Sequence, residues 1–240
     1  MPSLKLSVII PAYNEEKRLP KTLRAVDAYL EKQGYGYEIL AVSDGSTDNT
    51  VQVAENMKAD IENLRVIDFQ PNHGKGYVVR KGMLEAKGEF RLFMDADNAT
   101  TVDQVENMWP EFEKGFQVVI GSRDVKGATI VVPQPWWRRR MGDAFNLVVQ
   151  LFSGLWGIWD TQCGFKGFSA KAAQEIFSRA TIDRWVFDVE ALVIAKKRGY
   201  TIREIPVTWV NDEKSKVGFS PTILFEVLRV SRNAFVRKYD

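Results

Sequence analysis

The sequence is nearly empty of the residues that cross-link or chelate: it has one cysteine, Cys163, and one histidine, His73. A single cysteine excludes an internal disulfide framework and suits a reducing compartment. Cys163 sits beside Gly164 in a predicted loop and is read as structural, with no nucleophilic role. His73 lies in Asn72-His73-Gly74-Lys75-Gly76 and reads as a turn residue before a helix. That glycine-rich run lacks the spacing and the Ser/Thr of a P-loop, which leaves Lys75 either a phosphate contact or part of a tight turn. No stretch reaches the roughly 18 uncharged apolar residues that span a bilayer. The first residues carry one lysine and then a strand-like run, so no signal peptide is read there. Repeats and low-complexity segments are also absent. The expectation is a soluble or peripheral protein, cytoplasmic and placed against the cytoplasmic face of a membrane.

What is present suits one large α/β domain over residues 1–240, with 45% hydrophobic and 27% charged residues. Net charge is only +2, yet it is unevenly spread. Residues 1–120 hold 14 Lys/Arg against 19 Asp/Glu, and residues 121–240 hold 19 against 12. The acidic half suits metal or sugar ligands, and the basic half suits phosphate or anionic lipid.

Apolar runs predict strands at Leu6–Pro11, Tyr37–Ser43, Leu64–Phe69, Glu89–Met94 and Phe116–Ile120. Helical spacing falls between them, at Glu15–Lys32, Thr47–Asn56 and Gly76–Ala86. This alternation predicts a mostly parallel sheet flanked by helices, with ligands beyond the carboxyl ends of its strands. Asn14, Asp44 and Asp95 all fall just past such ends. After Gly121 the pattern loosens, with helices predicted at Ala170–Ser178, at Val186–Arg198 and from Ser220-Pro221, and a strand at Ile202–Val210.

Asp95-Ala96-Asp97 closes an apolar strand. Two carboxylates one residue apart can share a hard divalent cation whose other ligands are diphosphate oxygens and water. Together with Pro11-Ala12-Tyr13-Asn14-Glu15, Ser43-Asp44-Gly45-Ser46-Thr47-Asp48 and the Asn72–Gly76 run, this set resembles glycosyltransferase family 2, which has a GT-A fold. Gly121-Ser122-Arg123, Asp160–Lys166, Arg184–Glu190 and Trp209 through Ser215-Lys216 look like the dolichyl-phosphate β-glucosyltransferases of that family. Dolichyl-phosphate mannose synthases are the next most similar group. They have an arginine and a longer loop before their Ser-Lys, where this chain has Asn211-Asp212-Glu213-Lys214.

The resemblance implies an inverting, metal-dependent transferase that moves a hexose, with glucose from UDP-glucose favoured, onto a polyprenyl or dolichyl phosphate. Pro11, Tyr13, Glu15, Val42 and Asp44 would line the base and ribose. Asp95, Ala96 and Asp97 would handle the diphosphate, with Mg²⁺ or Mn²⁺ on the two aspartates. Arg123 and Lys216 would hold phosphate charge. Residues 1–120 would form the donor half, and residues 121–240 the acceptor and membrane half.

Acceptor chemistry points the same way. A sugar hydroxyl needs a general base, whereas a phosphomonoester with a second pKa of about 6 is already an anionic nucleophile. Such a site needs cations more than a base. Lys216, Arg123 and Lys166 are the candidates, while Asp188 or Glu190 is held in reserve as a base. Trp136-Trp137-Arg138-Arg139-Arg140 precedes an amphipathic run carrying Phe145, Val148, Phe152, Leu155 and Trp159. A terminal helix adds Leu224, Val227, Leu228 and Phe235 among basic residues. Both suit the headgroup boundary. The readings left open are a GDP-mannose-dependent enzyme, a family 2 transferase acting on a glycan hydroxyl, and a non-catalytic membrane-associated nucleotide-binding protein. A nucleic-acid partner is not expected, because the basic residues interleave with an apolar helix.

Overall fold

The computed structural model describes residues 3–132, 136–210, 221–236 and 238–239. Chain order runs β1 (Leu4–Ala12), α1 (Leu19–Leu30), β2 (Gly36–Asp44), α2 (Thr50–Asn56), β3 (Leu64–Phe69), α3 (Lys75–Glu85), β4 (Phe90–Met94), α4 (Trp109–Glu113) and β5 (Val118–Ser122). It continues with β6 (Thr129–Ile130), α5 (Trp136–Ser153), β7 (Phe165–Ser169), α6 (Ala170–Arg179), α7 (Phe187–Lys197), β8 (Ile202–Pro206), β9 (Thr208–Trp209) and α8 (Pro221–Phe235).

The main sheet has seven strands in the order β3-β2-β1-β4-β7-β5-β8. All its pairs are parallel except those of β7, which runs antiparallel to both β4 and β5. Strands covered on both faces read as unbroken apolar runs, and β1 and β2 are buried almost end to end. On α1, Leu19, Leu23, Val26 and Leu30 form one inward stripe. They join a core with Val8, Ile10 and Leu92. The other face buries Ile9, Val42, Phe93 and Phe168 beneath α3, α6 and α7. The expected fold, a mostly parallel sheet flanked by helices, is the one found.

Two elements differ from the sequence reading. The strand predicted over Ile202–Val210 divides at Val207, and its second part, β9, pairs with β6 in a separate two-stranded ribbon. Asp188 and Glu190 lie on the helix expected over Val186–Arg198. That helix, α7, is buried from Phe187 through Ala195, which is how an all-round apolar helix behaves. The central strand β7 has no counterpart in the sequence reading. Its Gly167 makes room for neighbours: a Cβ there would lie 2.8 Å from Met108 Sδ and 3.1 Å from Phe112 Cζ.

Candidate active site

The carboxyl ends of β1, β2 and β4 open on one cleft of about 410 Å³. Its lining includes Pro11, Tyr13, Glu15, Asp44, Lys75, Asp95, Ala96 and Asp97, all named from sequence. It also includes Arg18, Asn72, Arg184 and Trp185, to which the sequence assigned no individual role. Arg18 left a signal in its spacing, three residues after Glu15. Arg184 and Trp185 stood within a matched motif but had no assigned role.

The cleft is built by hydrogen bonds between strand-end loops. Glu15 N–H donates to Thr50 Oγ1 at 2.7 Å, and Glu16 N–H donates to Asp48 Oδ2 at 3.3 Å. Asn14 accepts from Thr47 N–H at 2.8 Å while holding a φ of 56°. Asn98, on the far side of the aspartate pair, has the same φ, and asparagine visits this region more readily than most residues. Thr22 on α1 donates to Ala96 O at 2.6 Å and holds the Asp95–Asp97 turn in place.

Asp44 is occupied by its own loop. Its carboxylate accepts from Asn72 Nδ2 at 2.8 Å and from the backbone N–H of His73 at 2.8 Å and of Gly74 at 2.9 Å. This places the start of α3 at the cleft, and N–H groups at a helix start favour anions. The 180–187 segment is fixed to the same helix. Tyr77 N–H donates to Asp183 O at 3.0 Å, and Arg80 pairs with the Asp183 carboxylate at 2.8 Å. Trp185 is thereby held at the rim, 42% exposed.

Charge alternates through the site. Glu15 is bridged by Arg18 at 2.5 and 2.6 Å. Lys75 Nζ lies 2.5 Å from Asp95 Oδ1. Burial pulls the Lys75 ammonium down, but Asp95 and then Asp188 pull it further up, so the cation is favoured. Asp97 is raised above the ordinary carboxylate value, first by burial and then by the charge of Asp95. Two such carboxylates call for a cation between them. Among the described residues, no group of three His, Cys, Asp or Glu side chains is gathered to hold a metal. Asp95 and Asp97 could hold an ion that takes its remaining ligands from substrate oxygens and water.

Five sequence-named residues are not in the cleft. Val42 is fully buried in the core beneath α3. Arg123 forks onto Asp160, with Nε 2.7 Å from Oδ2 and Nη2 2.9 Å from Oδ1, and makes a structural pair. Lys166 is 0% exposed; it donates to Cys163 O at 2.5 Å and pairs with Asp188 at 3.2 Å. Asp188 is itself buried behind the cleft wall, and burial holds its carboxyl above the usual range despite Lys166 and Lys75. Glu190 is saturated: it accepts from Thr181, Ile182 N–H and the Tyr239 hydroxyl. Burial also pushes the Cys163 thiol up to about 12, so it is inert. Lys216 lies outside the described residues.

A second surface is apolar and open. The sequence reading placed Phe145, Val148 and Leu155 on an outward stripe, but they pack inward. Leu147, Leu151, Phe152, Trp156 and Trp159 are the exposed residues, with Trp156 at 60%. On α8, Val227 is buried, whereas Phe225, Leu228 and Phe235 are exposed beside Arg229 and Arg232. The side chains of residues 136–139, Leu224 and Arg237 lie outside the described set. Among the described residues, no helix is long and apolar enough to cross a membrane.

Comparison with known proteins agrees with this geometry. The profile of glycosyl transferase family 2 matches residues 7–177. Dolichyl-phosphate beta-glucosyltransferase of Drosophila melanogaster is 39% identical, covering 98% of this chain and 74% of that protein. The Homo sapiens protein of the same name is 38% identical, covering 90% and 70%. Glucosyl-3-phosphoglycerate synthase from Mycobacterium tuberculosis, crystallised with Mn²⁺, UDP and glucosyl-3-phosphoglycerate, shares the fold with a TM-score of 0.63 at 16% identity, covering 98% of this chain and 80% of that one. With its strand-end cleft, its aspartate pair and this likeness over most of its length, the chain belongs to glycosyl transferase family 2 and has the GT-A fold.

Proposed function

We propose that the protein transfers glucose from UDP-glucose to dolichyl or a related polyprenyl phosphate at a membrane surface. The observation that carries this reading is the Asp95/Asp97 pair facing the α3 start across one cleft, in a chain 38–39% identical to dolichyl-phosphate β-glucosyltransferases. Residues 1–120 serve the donor, and residues 121–240 the acceptor and the bilayer.

In this account Pro11, Tyr13 and Glu15 contact the nucleoside, and Asp44 keeps the Asn72–Gly74 loop in position for it. Asp95 and Asp97 would hold Mg²⁺ or Mn²⁺, which would supply positive charge against the departing diphosphate. An oxygen of the acceptor phosphate attacks the anomeric carbon as the bond to UDP breaks, giving inversion. That nucleophile is already anionic, so no side chain has to remove its proton. Asp188, paired with Lys166 behind the wall, serves as electrostatic support. Lys216 is assigned to the acceptor phosphate. The exposed Trp156, Trp159 and Phe225 enter the headgroup boundary, with Arg229 and Arg232 on anionic lipid, and so bring the cleft to a lipid that cannot leave the bilayer.

The test offers the purified protein UDP-glucose and GDP-mannose together with a polyprenyl phosphate in liposomes, and weighs the lipid product. A hexosyl lipid formed from UDP-glucose and lost with chelator is expected. Product formed equally from GDP-mannose would move the reading to a mannosyltransferase.

A further inference from the structure

Lys75 makes an ion pair that the donor reading leaves without a purpose. Its ammonium lies against Asp95, the carboxylate assigned to the divalent ion. Yet Lys75 is not sealed in place as Lys166 is. Its side chain is 29% exposed and borders the cleft. It is the first residue of α3, directly after Gly74. The ammonium stands 5.9 Å from the ring centroids of both Phe93 and Phe187.

Resting on the metal assignment above, we propose that Lys75 is an exchangeable counter-ion. It holds the charge position of the divalent ion against Asp95 while the cleft lacks donor. It passes to the diphosphate when ion and donor arrive.

The physical argument is one of charge. Asp95 and Asp97 repel each other, so a cation has to stand with them in either state. An ammonium 2.5 Å from Asp95 Oδ1 and a divalent ion on the same carboxylate would repel strongly. An ion entering without nucleotide must therefore displace Lys75 from Asp95, its nearest partner, and leave it only the weaker attraction of Asp188. An entering diphosphate supplies a new partner at the first turn of α3, where the helix end also favours anions. Metal and nucleotide should thus bind cooperatively, and by linkage each raises the affinity of the other by the same factor.

Mn²⁺ binding, read from the electron paramagnetic resonance signal of the free ion, tests this without turnover. Wild type, Lys75→Met, Lys75→Arg and Asp97→Ala are compared with and without UDP, and each is checked by thermal melting. Methionine keeps the length and packs beside Phe93 and Phe187 without charge. Free Lys75→Met is expected to bind Mn²⁺ at least about tenfold more tightly than wild type, with Lys75→Arg close to wild type. UDP is expected to enhance Mn²⁺ affinity by a larger factor in wild type than in Lys75→Met. Unchanged or weaker Mn²⁺ binding by folded Lys75→Met, or equal enhancement by UDP in both, overturns the proposal. Absence of Mn²⁺ binding in every protein even with UDP, or binding indifferent to Asp97→Ala, overturns the metal assignment and the proposal with it.

Discussion

Gly164→Ala should disable the site while leaving the fold standing. Gly164 O accepts from Asp95 N–H at 3.1 Å, so the two residues face each other just past the Met94–Phe165 pair of β4 and β7. A Cβ on Gly164 would lie 2.1 Å from Asp95 Oδ2, 2.4 Å from Cγ and 2.7 Å from Oδ1. Its φ is not in the left-handed region, so alanine is refused by space alone. Ordinary contact begins near 3.4 Å, so the carboxylate must withdraw by roughly 1.3 Å. A misplacement of about 1 Å at a reacting centre costs on the order of 10²-fold in rate. The carboxylate is the far end of a side chain that is 34% exposed. It can therefore turn away without opening the core, and Tm should move by under about 4 °C. The assay is kcat with UDP-glucose and a polyprenyl phosphate across a Mn²⁺ titration, beside a thermal melt. Full turnover in Gly164→Ala would refute the placement of Asp95. A collapsed melt would refute the argument that the carboxylate yields.

Other outcomes follow from the buried charges and the open face. Arg123→Met strands the Asp160 carboxylate and should cost about 3–5 kcal/mol, lowering Tm by roughly 6–20 °C with little change in donor KM. Burial pushes Asp160 up, and Arg123 outweighs it, leaving the folded pKa below its ordinary value. That stability is present above the unfolded pKa of about 3.9 and is lost as pH falls through the folded pKa. The Tm gap between wild type and Arg123→Met should therefore narrow between pH 7 and pH 3. Lys166→Met alone should destabilise by a similar amount through Asp188, while Lys166→Met with Asp188→Leu should recover most of the loss; a double variant no more stable than the single would contradict that pairing. Trp156→Ser with Trp159→Ser should weaken binding to anionic liposomes, and high salt should weaken wild-type binding too. Salt-independent, tryptophan-independent binding would remove this face from the account.

The half of the fold up to β4 was legible because apolar runs there end in turn residues at regular spacing. Leu64–Phe69 agrees to the residue, and the other strand and helix ends agree within a few residues. β7 was not legible, since Phe165–Ser169 contains a lysine and a glycine whose reasons are tertiary. Lys166 is tolerated because Asp188 arrives from α7, and Gly167 because Met108 and Phe112 fill its side. The cleft residues at strand ends stood out in the sequence for the same reason the strands did. Arg123, Lys166 and Asp188 were misplaced because a sequence displays charge and not burial, and each has its partner in a distant segment. On the 145–153 stretch of α5 apolar residues occur on both sides of the helix, and Leu155, Trp156 and Trp159 lie past its end at Ser153, so helical spacing alone could not say which of them meet the core.

The most direct test of the central claim is the identity of the atom that receives the sugar. One preparation, supplied with UDP-glucose and Mn²⁺, is offered a short polyprenyl phosphate, the matching polyprenol without phosphate, and a soluble glycan, and each product is resolved by mass and by ³¹P NMR. The account predicts glucose on the phosphate oxygen alone, in the β configuration. Transfer to the polyprenol or the glycan hydroxyl, with none to the phosphate, would contradict it and return Asp188 to consideration as a base.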